Sequence, residues 1–128
     1  MTFYADKETL EEMLTASYED FKKWEADKKK LSYLRDASNK LVAVAENVTS
    51  SRLLTPIANW GEFAPLFKKE FKNELMYEYL KDLHKFFYQG AGYDENIKEI
   101  EYEYHKARKF FRNLVKEGKY INKKLVTV

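Results

Sequence analysis

Apolar residues recur along this chain at steps of three and four, the spacing that gathers side chains on one edge of a helix. The clearest case is Tyr93 to Glu117, where Ile97, Ile100, Tyr104, Ala107, Phe111 and Leu114 form one seam. At about 100° per residue, Lys98, His105, Lys109, Arg112 and Lys116 fall together on one flank of that seam. Glu99, Glu103 and Glu117 fall on the other. The pattern predicts a packed surface helix with an apolar edge, a basic shoulder and an acidic shoulder.

A second seam runs through Leu10, Met13, Leu14, Ser17, Phe21, Trp24, Lys28 and Leu31, and predicts an amphipathic helix from Ala5 to about Arg35. Asp6 suits its N-cap, with Thr9 as an alternative, and acids crowd the first turn where the helix dipole favours them. Asp36 to Asn39 reads as a bend. The short apolar run Leu41 to Ala45 is read as helix because both neighbours are helical, with a strand as the alternative. Thr49-Ser50-Ser51 opens a connector, and Thr55-Pro56 predicts a brief helical turn through Trp60 that Gly61 ends.

Glu62 to Tyr88 predicts the most apolar helix. Phe63, Phe67, Phe71, Leu75, Tyr79, Leu83 and Phe87 lie on a row of steps of four, which winds around a straight helix and gives it more than one neighbour. Pro65 fits only if it lies in the first turn. Gly90 suits a left-handed cap and Asp94 the N-cap of the next helix, so a short loop sets these two helices antiparallel. Gly118 ends the last helix. The expected fold is all-α: a small antiparallel bundle of three long helices, with one or two short helical turns in the 37–61 connector. It is one domain over 1–128, closing in a basic tail, 119–128, that docks as a short strand or is ordered by a partner.

Composition narrows the class. The hydrophobic set is 45% and the charged set 34%, which excludes a disordered tail, and no apolar run approaches the roughly 20 residues of a membrane span. There is no cysteine, hence no disulfide and no thiolate chemistry, and the amino terminus lacks the blocks of a secretory signal. The expected location is cytoplasmic, and the Asn47-Val48-Thr49 glycosylation match is read as coincidence. Net charge is only +2, but it is unevenly spread. Residues 1–20 hold six acids against one lysine, and residues 105–124 hold eight Lys or Arg against one Glu. Ten Tyr, nine Phe and two Trp exceed what one small core hides, so some should reach a surface.

Reactive chemistry finds little support. His84 and His105 stand on different helices with no ligand partner within a turn, and no serine sits in a nucleophile elbow. Gln89 to Asp94 lacks the lysine and the preceding strand of a phosphate-binding loop. Glu74/Glu78 and Glu99/Glu103 are each one turn apart, the spacing that holds divalent ions in some bundles, but both lie off the seams with lysines near. No metal or other cofactor is expected.

The basic flank is the strongest functional signal. Lys98 to Lys116 spans about 27 Å of helix, a scale over which a nucleic-acid backbone offers phosphates. Tyr102 lies beside the stripe and can stack on a base, and Lys119, Lys123 and Lys124 extend the patch. Phe110 sits well off the seam, so it is either covered by a second neighbour or exposed as a contact. Together these residues point to a non-enzymatic binding or assembly protein. Its expected partner is a protein or nucleoprotein complex, engaged through Phe110 and Tyr102 in the manner of phage inhibitors of host defence complexes; self-association is a further form of that contact. The alternative is a nucleic-acid-backbone-binding subunit using the basic stripe, and a metal-dependent phosphohydrolase stands last.

Overall fold

A computed structural model of the chain describes residues 5–89 and 97–121. These form five helices and, among the described residues, no strand. The helices are α1 (Lys7–Ala26), α2 (Leu31–Leu53), α3 (Trp60–Phe71), α4 (Glu74–Gln89) and α5 (Ile97–Lys116). The all-α class stands, whereas three long helices become five, because two of the expected rods are each cut by a break.

The first break falls at Asp27 to Lys30. α1 starts where Asp6 Oδ1 accepts from the Thr9 N–H at 2.7 Å, and it buries Leu10, Leu14, Ser17, Phe21 and Trp24 as its seam predicts. It then stops at Asp27, whose N–H returns to the carbonyls of Lys23 and Trp24. Leu31 opens α2 instead of extending α1. The expected bend at Asp36 to Asn39 lies inside α2. Ala37 is fully buried there, and the Ser38 hydroxyl donates to Leu34 O at 2.8 Å, so a turn-forming residue is satisfied within the helix. Helix continues through Leu41–Ala45 and through Thr49–Ser51, where a connector was expected, to a left-handed cap at Leu54 with φ 52°.

Residues 55–58 hold no helical turn. Asn59 caps α3 by accepting from the Glu62 N–H at 3.0 Å, and Glu62 Oε1 accepts from the Ala58 N–H at 3.1 Å. Gly61 thus lies in the first turn of a helix it was expected to end. Pro65 lies beyond that first turn, on an exposed face where water can take the carbonyl its missing N–H leaves free. The second break is at Lys72, left-handed at φ 50°. Asn73 then caps α4, its Oδ1 accepting from the Met76 N–H at 3.0 Å. This break resets the apolar row. α4 buries Met76, Tyr77, Leu80, Leu83 and Phe86, and leaves Leu75 61% exposed.

α2, not the 62–88 segment, is the central helix. It touches all four others and buries Leu34, Leu41, Val44, Ala45 and Val48 completely. α5 lays its predicted seam on this core and ends at Gly118, φ 72°, where Lys119 N–H reaches Leu114 O at 2.9 Å. It runs antiparallel to α1, so that Ser17 meets Tyr104 and Trp24 meets Glu101. On its other side α4 brings Tyr79 to Tyr102. The expected caps at Gly90 and Asp94, and the tail beyond Ile121, lie outside the described residues. Among those residues no helix is long and apolar enough to cross a membrane.

Candidate anion-binding face

Lys98, His105, Lys109, Arg112 and Lys116 are all exposed on the outer side of α5, opposite its buried seam. Among the described residues, no ion pair within 4.0 Å joins any of them to a carboxylate. His105 is the most constrained, because its ring meets Phe21 of α1 edge-on at 4.6 Å. Lys119 is exposed but already pairs with Glu117 at 2.9 Å, and Lys123 and Lys124 lie outside the described residues. Of the expected extension of the patch, Lys119 alone lies among the described residues.

Two cations that helical spacing alone did not single out join this face. The Arg108 guanidinium lies 3.7 Å from the ring centroid of Tyr18, and burial, followed by the nearby charge of Arg112, lowers its pKa. Lys106 Nζ lies 5.4 Å from the ring centroid of Tyr102.

Tyr102 is 54% exposed. Tyr79 of α4 stands edge-on to it, with ring centroids 6.2 Å apart and planes at 83°. Desolvation, then the hydrogen bond to Tyr102, raises the pKa of the Tyr79 phenol. Leu75, one turn before Tyr79, adds apolar surface on the same helix. Sequence reasoning missed this contribution because it comes from a different helix, and only the reset at Lys72 turns Leu75 outward.

Phe110 is placed differently. It is half-buried, and Phe71 at the end of α3 meets it edge-on at 5.9 Å. The Arg52 guanidinium covers Phe71 at 4.5 Å and is held by Glu70 at 2.8 Å. The neighbour that covers Phe110 is thus Phe71 at the end of α3, and the Phe110 ring is part of the packing.

The carboxylate pairs meet in part, since Glu99, Glu78 and Asp82 all act electrostatically on Glu103. Glu74, Glu78 and Glu99 are exposed, whereas Glu103 is 4% exposed beside Asp82. Burial foremost, then the bond to Asp82, pushes Glu103 up to about 8. Among the described residues no three His, Asp or Glu are grouped so as to hold a metal ion. His84 stacks on Trp60 with centroids 4.4 Å apart and planes at 9°, and burial lowers its pKa. No protein-family model matches the chain, and no curated protein or solved structure does.

Proposed function

We propose that the protein is a non-enzymatic binding protein that offers the outer face of α5 to the phosphate backbone of a nucleic acid. The observation that carries this reading is the set of four exposed Lys and Arg side chains, with His105 among them, along one face of a single helix and in no ion pair among the described residues. A stripe about 27 Å long neutralises several phosphates at once, and each contact releases counterions without reading a base. A rigid helix anchored by Tyr104 and Phe111, both fully buried, holds these charges in register.

The experiment is a salt titration of nucleic-acid binding followed by fluorescence anisotropy. The expected result is a linear fall of log affinity with log salt. Charge reversal at Lys109 and Arg112 should weaken binding to every sequence and flatten that slope. A slope near zero for the unaltered protein would overturn the reading. The exposed Leu75, Tyr88 and Tyr102 favour a second reading, contact with a protein. That contact would survive high salt and would be lost on Tyr102→Ala.

A further inference from the structure

The patch beside the stripe says more about the ligand than the charges do. Lys98, Tyr102 and Lys106 follow one another at single helical turns, about 6 Å apart, and all three are exposed. Tyr102 is a large aromatic side chain that stays 54% exposed although core positions lie beside it on the same helix. Tyr79 meets it edge-on at 6.2 Å, and Lys106 Nζ lies 5.4 Å from its ring centroid. Leu75 continues the apolar surface at 61% exposure.

A duplex backbone has no use for such a ring, because its bases are stacked within the helix and its phosphates need only cations. An unpaired strand presents both a phosphate and a bare base face at each step. An aromatic side chain flanked by lysines meets both requirements together. Resting on the reading of α5 as an anion-binding face, we propose that this face selects single-stranded nucleic acid, with Tyr102 as the stacking platform for an unpaired base and Lys98 and Lys106 as contacts to the flanking phosphates. Tyr79 acts as a positioning residue that holds the Tyr102 ring.

The test compares three labelled probes at one salt concentration: oligothymidylate, a duplex of equal length, and inorganic polyphosphate, which carries the charge without the bases. The unaltered protein should bind oligothymidylate most tightly. Tyr102→Ala should lower that affinity about tenfold, while leaving polyphosphate affinity and the salt slope unchanged. Tyr102→Phe, which keeps the ring, should retain binding. Circular dichroism of each variant reports that the exposed substitution leaves the helices intact. Equal affinity for oligothymidylate and polyphosphate, or no loss on Tyr102→Ala, overturns the stacking proposal and leaves the anion-binding face standing. Absence of salt-dependent binding to all three probes overturns both.

Discussion

Glu103 of α5 lies beside Asp82 of α4 in a site where it is 4% exposed, and its buried Oε2 has no hydrogen-bond donor. Two carboxyl groups can bond to each other only if one keeps a proton. Glu99 and Glu78 add negative charge around the pair, and the nearby Lys81 is engaged by Glu78 at 3.1 Å. Burial and these neighbouring charges together favour the protonated form of Glu103 at the α4–α5 seam.

Stability should consequently fall as pH rises. Glu103 titrates near 4.5 when unfolded and is pushed up to about 8 when folded, so in that window the folded chain holds the extra proton. Its contribution is complete below the unfolded value and is lost as pH climbs through the folded one. Denaturation in urea should show a decline of about 1 kcal/mol per pH unit or less between about pH 5 and pH 8. Glu103→Gln should remove most of the slope. Glu46, raised by burial, supplies a smaller trend of the same sign. A flat profile for the unaltered protein would contradict a protonated Glu103.

The Ser17 hydroxyl donates to Ala37 O at 2.8 Å and lies 2.7 Å from the Tyr104 phenol, tying α1 to α2 and α5 in the core. Tyr104→Phe should cost about 1 kcal/mol, the net worth of one buried hydrogen bond. Tyr104→Ala should cost roughly 3–5 kcal/mol through the cavity it leaves. A double-mutant cycle with Ser17→Ala measures the coupling, and strict additivity would show that the two hydroxyls act independently.

Trp24 donates its indole N–H to Glu101 at 2.9 Å, and Lys28 reaches the same carboxylate at 3.1 Å. These two contacts should differ in weight. Glu101→Ala leaves a buried donor unpaired and should cost about 1–3 kcal/mol. Lys28→Ala removes an exposed charge and should cost under about 1 kcal/mol. Thermal melting followed by tryptophan fluorescence ranks the two; equal losses would place the main interaction with the lysine.

Lys72 and Leu54 both hold left-handed backbone at φ 50° and 52°. Lys72 is exposed, so its side chain supports nothing in the core. Lys72→Gly should raise stability by about 0.5–1 kcal/mol, because glycine adopts this conformation without strain. A lower melting temperature for that variant would locate a hidden role for the lysine.

The first and last helices were legible because each carries one narrow apolar seam, and a single seam survives in sequence as a plain period. The breaks were harder to see. Leu31 continues the spacing of α1 because α2 folds back onto the same core, so the period carries no mark of the turn at Asp27. Ser38 and Asn47 look like bend residues, yet each donates back to a carbonyl four residues earlier. Small side chains there allow α1 to approach closely, as the Ser17 bond to Ala37 shows. No glycine or proline marks the interruption at Lys72, and the signal lay in Asn73, a helix cap followed at once by Glu74. For the candidate site, the charges on α5 were readable because one helix supplies them. Tyr79 and the covering of Phe110 were not, since both depend on which helix arrives alongside.

The Asp27 to Lys30 turn has a consequence for the order in which the molecule takes shape. Among the described residues it joins the two helices with the most extensive mutual contact, and closing so short a loop costs little entropy. The α1–α2 hairpin is therefore the expected early folding nucleus. Ser17 and Tyr104, by contrast, meet across 87 positions of sequence, so α5 docks late. During synthesis the emerging polypeptide is expected to form this cradle before it has its cationic surface, which then becomes rigid when the last helix settles into place.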